Sequence, residues 1–325
     1  MNQSLVLGID VGAQTAKLGV VDTEGHIICQ TAINSQQRYS TDFVHDASEA
    51  AQELMDKTTA YGKVHAIGIG APNGNYYKGT MEFAPNVKWC YDEAGQPTSI
   101  ELARFINERI GLPVKVTNDA NAAAVGEMTY GVARGLKNFI MITLGTGVGS
   151  GIVIDGKIVY GHDGFAGELG HTITIRGGRK CSCGRCGCLE TYCSARGVVW
   201  TAQELLAQTN RSSLLQQIDP QRLSSKDVYD AAKKGDALAV DVLKKTGHVM
   251  GEAFADFVAF SAPEAIVLFG GVARAKEFLH TSIMNSMNAM LLPMWKHKIR
   301  VLYSTLKESN AAILGASAIA WEAVQ

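Results

Sequence analysis

The sequence lacks the features that would place the protein in a membrane, outside the cell or on nucleic acid. It has no basic leader followed by an apolar run and a small-residue cleavage site, so a cytoplasmic protein is predicted. The most apolar late stretch, residues 253–260, contains Asp256, stops at Pro263 and is too short to span a bilayer. The formal net charge is −1 and no long run of Lys or Arg occurs, so no nucleic-acid partner is expected.

Charged residues are also few, at 19% against 46% hydrophobic residues, which is a globular and not a disordered composition. The 325 residues are too many for one ordinary core and suit two lobes. The sequence contains no low-complexity segment and no flexible linker.

Two stretches of the chain share one pattern. Residues 5–33 read as strand, glycine-containing turn, strand, tight turn and strand, and residues 139–160 repeat that order. Helices and strands alternate after each stretch. A repeated α/β pattern favours two related lobes with a cleft between them.

The first glycine turn contains Asp10, Gly12, Thr15 and Lys17. Glycine allows the backbone to approach a phosphate closely, and the N–H groups of a tight turn form an anion cradle. A carboxylate beside that cradle can hold Mg²⁺ through water. The alternative is an ordinary hairpin in which Asp10 only forms the turn.

The second turn, residues 145–151, has four glycines in seven positions, which is more than a hairpin requires. It predicts a second phosphate cradle with the Thr146 hydroxyl as an extra donor, the alternative being a bulged hairpin. No G-x-x-x-x-G-K-[ST] motif occurs, which excludes a P-loop. A dinucleotide-binding fold is not favoured either, because these glycines join strands and do not open a helix.

An Asn-Asp pair, Asn118 and Asp119, lies between a predicted strand and a predicted helix. An aspartate at the carboxyl edge of a strand can act as a general base on a substrate hydroxyl. Asn and Asp are also preferred helix N-caps, so a purely structural role is the alternative.

Cysteine use is uneven, because five of the seven cysteines fall within residues 181–193. In a reducing compartment this clustering indicates metal binding and not disulfides. His171 with three of the four residues Cys181, Cys183, Cys186 and Cys188 satisfies tetrahedral zinc. A closed four-ligand zinc is structural, since no position remains for substrate. The alternative is a set of buried free cysteines.

In their order along the chain these motifs resemble the ROK family (repressors, open reading frames and sugar kinases). The resemblance covers essentially the whole chain. It rests on D-x-G, G-A-P, A-P-N-x-x-W, N-D-A-N, L-G-T-G-x-G-x-G, G-E-L-G-H, C-x-C-G-x-x-G-C-L-E and F-G-G. The G-E-L-G-H and C-x-C-G-x-x-G-C-L-E pair is its most specific part.

The resemblance implies an α/β, two-lobed hexokinase/actin-like (ribonuclease H-like) fold that closes on sugar and ATP. We therefore expect a small α/β domain at 1–118 and a large α/β domain at 119–304 with a zinc loop at 171–190. A C-terminal helix at about 305–325 should pack back on the small domain. A homodimer is a further expectation from the family.

The resemblance also implies an activity: transfer of a phosphoryl group from ATP, with Mg²⁺, to the 6-hydroxyl of a hexose, with glucose the first choice and Asp119 the general base. The residues implied in sugar binding are Asn86, Asn118, Glu168, His171 and Glu190. The residues implied around the phosphates and nucleotide are Asp10, Gly12, Thr15, Lys17, Gly145, Thr146, Gly147, Gly270 and Gly271. The implied ligands of a structural zinc are His171, Cys181, Cys183 and Cys188.

Several alternatives stay open at this point. The alternative acceptors are N-acetylglucosamine, N-acetylmannosamine, mannose, fructose and allose, and Pro72-Asn73-Gly74 replaces the usual Pro-Gly of the family near the sugar. Polyphosphate is the alternative donor, although the F-G-G run favours ATP. Cys186 is an additional thiol in the zinc loop, and Trp89 is either a sugar platform or a core residue. Repressor members carry a winged-helix domain first; here the first phosphate motif begins in the opening strand and Asp119 is intact, which favours a kinase.

Overall fold

The computed structural model describes residues 3–324. Residues 1, 2 and 325, which the predicted domains include, lie outside the described residues, as do the side chains of residues 308 and 309. Within residues 3–324, no helix is both long and apolar enough to cross a membrane.

The described residues form the following strands and helices. The strands are β1 Gln3–Val11, β2 Thr15–Asp22, β3 Ile27–Asn34, β4 Gly62–Ala71, β5 Gly74–Asn75, β6 Thr80–Glu82, β7 Ser99–Ile100, β8 Val114–Asn118, β9 Phe139–Leu144, β10 Val148–Ile154, β11 Lys157–Ile158, β12 Ala265–Phe269 and β13 Arg300–Tyr303. The helices are α1 Ser40–Thr58, α2 Leu102–Ile110, α3 Asp119–Tyr130, α4 Glu190–Cys193, α5 Ala195–Gln208, α6 Ser225–Lys233, α7 Ala237–Ser261, α8 Lys276–Met290 and α9 Glu308–Trp321.

The first five-stranded sheet has the order β3-β2-β1-β4-β8. The first three strands pair antiparallel, whereas β1, β4 and β8 run parallel. Helix α9 packs directly on β1 and β4. A Cβ added to Gly8 would lie 2.4 Å from the Ile313 carbonyl oxygen, and one added to Gly68 would lie 1.9 Å from that of Ala316. Glycine at both positions therefore permits this close approach of helix and sheet.

The second five-stranded sheet has the order β11-β10-β9-β12-β13. Again β9 and β10 pair antiparallel, whereas β9, β12 and β13 run parallel. Its core includes buried apolar side chains of β9 and β12 and of helices α5 to α8. A third, small sheet has the order β5-β6-β7. The recurrence of strand order agrees with the repeated pattern in the sequence.

The chain divides into two compact units. Unit 1 contains the described residues up to Gly135, the segment Ile158–Ala166 and the described residues from Thr305 onward. Unit 2 contains Leu136–Lys157 and Gly167–Ser304. This division differs from a boundary after residue 118, because α3 packs against α9 and stays with unit 1.

One element differs from its expected bounds. Strand β11 has only two residues, Lys157–Ile158, whereas the pattern suggested a strand over 157–160. The reason for the short strand is that the Tyr160 ring stacks on the Tyr76 ring at a centroid distance of 4.1 Å.

Candidate functional site

Asp119 begins α3 directly after β8. The Ala120 backbone N–H donates to Asn118 Oδ1 and to Asp119 Oδ1, each at 2.8 Å. Asn118 is the N-cap of the helix, so the structural role considered for this pair is present. The Asp119 side chain reaches solvent, but the protein atoms around it still raise the pKa of its carboxyl. Capping by Asn118 thus leaves the Asp119 carboxyl available for chemistry.

Asp10, the half-buried penultimate residue of β1, lies at the same sheet edge. Asp10 is in register with Gly70 of β4, and Ala71 of β4 is in register with Asn118 of β8. Because these strands are parallel, their carboxyl ends meet at one edge of the sheet. Burial, followed by the charge of Asp119, raises the pKa of Asp10 to about 6, while the charge of Lys17 opposes that rise. The sheet therefore brings two interacting carboxyls together.

The rest of the first turn is closed by backbone contacts. The Gly12 N–H donates to the Thr15 carbonyl oxygen at 3.2 Å. Lys17 is the cross-strand partner of Asp10 on β2.

Asn86, the remaining predicted sugar residue of unit 1, is exposed. Trp89, three positions later, is only 2% exposed and stacks on Phe43 at 4.3 Å, so the core alternative for this residue is confirmed.

The second glycine turn joins β9 and β10 in unit 2. The Gly145 N–H donates to the Gly147 carbonyl oxygen at 3.0 Å, and the Gly145 carbonyl accepts from the Ala195 N–H at 2.9 Å. A Cβ added to Gly145 would meet nothing within 4 Å, whereas one added to Gly147 would lie 2.5 Å from Glu190 Oε2. Thr146 is exposed. One side of this turn is thus packed and the other is open.

Gly270 and Gly271 follow β12, the parallel neighbour of β9 in the same sheet. Phe269 at the end of β12 is in register with Thr143 near the end of β9. Gly270 has φ of +104°, and an added Cβ there would lie 2.6 Å from the Leu144 carbonyl oxygen. An added Cβ at Gly271 meets nothing within 4 Å. The two predicted nucleotide segments of unit 2 therefore share one sheet edge, as their parallel strands require.

Glu190 connects the second turn to the cysteine loop. Its Oε2 accepts the Val148 backbone N–H at 3.0 Å, and its Oε1 lies 3.8 Å from Cys181 Sγ. One carboxylate oxygen is therefore engaged within the protein, which leaves Oε1 as the oxygen with spare acceptor capacity. Glu168 is exposed and precedes the 3₁₀ turn Leu169–His171.

The four predicted zinc ligands lie together in unit 2. One ligand atom from each of His171, Cys181, Cys183 and Cys188 lies within 4.8 Å of all the others. His171 Nδ1 is 3.6 Å from Cys181 Sγ, and Cys183 Sγ is 3.6 Å from Cys188 Sγ. Tetrahedral zinc with Zn–S bonds of about 2.3 Å places its sulfur ligands about 3.8 Å apart. The donor set and its spacing fit a structural zinc.

Cys186 lies outside this cluster. It is exposed, and its backbone forms a bridge with Lys180 on the opposite side of the loop. The Cys181 N–H donates to the Arg185 carbonyl oxygen at 2.8 Å, which closes the loop tip around residues 181–185. This arrangement favours the ligand set implied by the family resemblance over one that includes Cys186.

Arg179 anchors the cysteine loop, and the sequence analysis missed it. Its guanidinium donates to both carboxylate oxygens of Glu204 at 2.7 Å and to the carbonyl oxygens of Thr191 and Gly197 at 2.7 and 3.1 Å. It also lies over the Tyr192 ring at 4.5 Å. No local signal reveals this role, because Glu204 is 25 positions away and Arg179 stands in what reads as a solvated basic loop.

Ser150 is a second residue that the sequence analysis did not select. Its Oγ donates to the Gly167 carbonyl oxygen and accepts the Leu169 N–H at 3.0 Å. These two bonds hold the backbone on both sides of Glu168. The only sequence signal is its position in the glycine-rich stretch that begins β10.

The known proteins that are similar to this chain include glucokinases. A glucokinase from Halalkalibacterium halodurans is 36% identical over 298 residues, which cover 90% of this chain and 88% of that protein. A crystal structure of a ROK family glucokinase from Streptomyces griseus with glucose and AMPPNP has a TM-score of 0.78 and 32% identity, covering 98% of this chain and 99% of that one. These similarities confirm the α/β, two-lobed hexokinase/actin-like fold.

A transcriptional regulator is also similar to this chain in structure. The crystal structure of a ROK family transcriptional regulator, a homologue of an Escherichia coli protein, has a TM-score of 0.85 and 27% identity. The match covers 98% of this chain and 77% of the regulator. The ROK family profile matches residues 6–323, which include every motif described above. The chain therefore belongs to the ROK family.

Proposed function

We propose that the protein transfers a phosphoryl group from ATP to the 6-hydroxyl of glucose, giving glucose 6-phosphate and ADP. The observation that carries this proposal is the Asp10–Asp119 pair at one edge of the unit 1 sheet, with Asp119 held at the start of α3. The similarity to glucokinases, one of them solved with glucose and AMPPNP, supports both substrates.

Asp119 is proposed as the general base. The N–H of Ala120 fixes one carboxylate oxygen, which leaves Oδ2 free to accept the proton of the attacking hydroxyl. The raised pKa of Asp119 makes it a stronger base than an ordinary aspartate. Such assistance is worth about 10²–10⁴ in rate.

Asp10 is proposed to hold Mg²⁺ of Mg·ATP through water. A carboxylate with a raised pKa beside a second carboxylate is a site where a divalent cation lowers the electrostatic cost of both charges. When bound, the ion would neutralise charge that develops on the transferring phosphoryl group. Gly12, Thr15 and Lys17 would surround the phosphates from unit 1.

Unit 2 would supply uncharged phosphate contacts. Gly145, Thr146 and Gly147 offer backbone N–H groups and one hydroxyl, and the open side of Gly145 admits a ligand. Gly270 and Gly271 would lie against the nucleotide. The absence of a Cβ obstacle at Gly145 and Gly271 supports this assignment.

The glucose hydroxyls are assigned to Asn86, Asn118, Glu168, His171 and Glu190. Carboxylates and amides pair with vicinal hydroxyls, and a site that pairs each hydroxyl rejects analogues that lack one. Because His171 Nδ1 faces the cysteine cluster, Nε2 is the ring nitrogen left for the sugar. A structural zinc on His171, Cys181, Cys183 and Cys188 would fix the tautomer and orientation of that ring.

Two further expectations, on assembly and on location, complete the proposal. A homodimer and a cytoplasmic location at the entry of glucose into glycolysis suit this activity. The solution mass of the purified protein tests the first: twice the chain mass of 34.8 kDa is expected, and a mass of one chain contradicts it.

A sugar-responsive regulator is the second candidate, and the similarity to a transcriptional regulator is the observation that favours it. A sensor has no use for a general base, so the setting of Asp119 favours the kinase. Sequence-specific DNA binding that responds to a sugar would reverse this preference.

The deciding experiment is an assay of ADP release with Mg·ATP and a panel of hexoses and N-acetylhexosamines, with polyphosphate as an alternative donor. Selective turnover of glucose with ATP is expected. Preference for N-acetylglucosamine, N-acetylmannosamine, mannose, fructose or allose would keep the mechanism and change the acceptor. Equal or greater activity with polyphosphate would change the donor, and no turnover of any sugar would contradict the proposal.

A further inference from the structure

One short segment between two stretches of unit 2 belongs to unit 1. Residues 158–166, called the strap here, leave strand β11, pack with unit 1, and lead into Gly167 and Glu168. Only Gly167 separates the end of the strap from Glu168, one of the proposed sugar residues. Ser150 forms hydrogen bonds to the backbone of Gly167 and Leu169, so these two neighbours of Glu168 are also attached to β10.

Two side chains of unit 1 hold the strap by its backbone. Asn75 Nδ2 donates to the Asp163 carbonyl oxygen at 2.7 Å, and the Tyr77 hydroxyl donates to the Gly161 carbonyl oxygen at 2.9 Å. Asn75 is completely buried, and its Oδ1 accepts the N–H groups of Tyr77 and Lys78. The Asn75 amide therefore makes three hydrogen bonds, which connect the strap to the backbone of Tyr77 and Lys78.

The strap is packed as well as hydrogen-bonded. The Tyr160 ring stacks on Tyr76 at 4.1 Å with an interplanar angle of 10° and meets the edge of Tyr77 at 5.9 Å. A Cβ added to Gly164 would lie 2.7 Å from Asn75 Oδ1, so the backbone passes directly against this amide. Within the strap, the Ala166 N–H donates to the Tyr160 carbonyl oxygen at 3.0 Å.

The residues that hold the strap are fixed to the strand that ends at Asp119. Asn75 is in β5, and a Cβ added to Gly74 would lie 2.3 Å from the Thr117 carbonyl oxygen of β8. Asn118 and Asp119 follow Thr117 directly. A rigid path of packed backbone therefore runs from the strand of the proposed base through Asn75 to the strap.

We propose that Asn75 and Tyr77 are positioning residues for the sugar: by holding the strap, they fix the backbone that carries Glu168. This inference rests on the proposed function, since Glu168 is a sugar ligand only if the protein is a sugar kinase. In this proposal the strap does not position the phosphate-binding turns. Loss of its attachment should therefore weaken glucose binding and leave nucleotide binding unchanged.

The test compares two neighbouring tyrosines. Tyr77→Phe removes the bond to Gly161, whereas the control Tyr76→Phe removes a 2.7 Å bond to Glu322 and keeps the ring stacked on Tyr160. We expect Tyr77→Phe to raise KM for glucose about three- to tenfold, the range for loss of one hydrogen bond, with KM for ATP unchanged. Tyr76→Phe should leave both constants unchanged.

A second variant removes the donor at the buried junction. Asn75→Asp keeps an acceptor for the Tyr77 and Lys78 N–H groups but cannot donate to Asp163, so a larger rise in KM for glucose is expected. If this buried substitution prevents folding, the exposed Tyr77 still decides the question, because its ring remains in Tyr77→Phe.

Hydrogen exchange supplies a readout that does not depend on activity. Tyr77→Phe should speed amide exchange from residue 158 through Leu169, and Tyr76→Phe should not. Faster exchange confined to 158–166, or equal changes in KM for both substrates, would overturn the inference. If the wild-type protein phosphorylates no sugar, the proposed function fails, and the exchange at Glu168 and Leu169 still shows whether Tyr77 fixes their backbone.

Discussion

The two five-stranded sheets share one strand order but carry different chemical groups at their strand ends. Counting strands within each sheet, both have the order third, second, first, fourth, fifth, and both place a glycine turn after the first strand. In unit 1, Asp10 lies at the end of β1 and Asp119 directly follows β8, and the charge of Asp119 contributes to the raised pKa of Asp10. In unit 2 the equivalent ends carry glycines, and one carboxylate oxygen of Glu190 accepts the Val148 N–H.

This difference separates the proposed acidic catalytic groups of unit 1 from the neutral phosphate-binding groups of unit 2. A raised carboxyl pKa means that the folded protein disfavours the ionised form, so unit 1 holds its charges at a cost in stability. Unit 2 presents neutral backbone donors beside a cluster suited to zinc. Removal of the Asp119 or Asp10 carboxyl in unit 1 should therefore lower activity or raise stability, whereas removal of a metal ligand in unit 2 should lower stability.

The largest effect is expected from Asp119→Ala. Loss of the general base should lower kcat about 10²–10⁴-fold while glucose binding remains measurable. Steady-state kinetics and calorimetric binding of glucose check both parts. The control is Asp22→Asn, at the end of β2 in the same unit, where Asp22 accepts the N–H groups of Glu24 and His26. If Asp119→Ala keeps near wild-type kcat, the base is a different residue.

Removing a metal ligand in unit 2 should act through folding. Cys183→Ala should abolish zinc content and lower the melting temperature, because metal binding and folding are coupled. The matched control, Cys186→Ala, lies in the same loop but outside the ligand cluster and should keep both. Elemental analysis and thermal denaturation measure the pair. Purified wild-type protein without zinc would contradict the zinc assignment.

Asp10→Asn should stabilise the protein in a pH-dependent way. The folded pKa of about 6 exceeds the ordinary 3.8, so the folded state binds the proton more tightly and stability falls as pH rises from about 4 to 6. The variant avoids that loss, so without Mg²⁺ its free energy of unfolding at pH 8 should exceed wild type by about 1–3 kcal/mol, with no gain at pH 4.

Asp22→Asn is the control of opposite sign. Burial of Asp22 acts to raise its pKa, but hydrogen bonds from His26 and Glu24 outweigh it and the net pKa is lowered. Its ionised form thus stabilises the fold above the ordinary pKa, and that contribution is lost as pH falls through the lowered value. Urea unfolding at pH 8 should show loss for Asp22→Asn and gain for Asp10→Asn; the same sign for both would refute the electrostatic contrast.

The smallest effects should separate the two sides of the second turn. Gly147→Ala places a Cβ against Glu190 and should lower the melting temperature. Gly145→Ala adds its Cβ to open space, so stability should stay the same while KM for ATP rises a few-fold. An unchanged KM for ATP in Gly145→Ala would indicate that phosphates do not approach this residue.

Local patterns in the sequence predicted much of this structure. The strand–turn–strand repeats, the Asn118 cap and the grouping of His171 with three cysteines all depend on spacing within a few residues. The strap could not be predicted, because its attachment joins Asn75 to Asp163 across 88 positions. The Arg179–Glu204 pair has the same character. Side chains that meet only after the chain has folded leave no periodicity in the sequence.

The position of α9 has a consequence for synthesis on the ribosome. This helix covers β1 and β4, yet it is made after all of unit 2. Until the helix arrives, the face of the sheet that carries Gly8, Gly68, Val6 and Ala66 remains uncovered. Unit 1 therefore cannot complete its core until α9 has been synthesised, although it begins first. Truncation before residue 308 should leave the apolar side chains of β1 and β4 uncovered and yield an insoluble product.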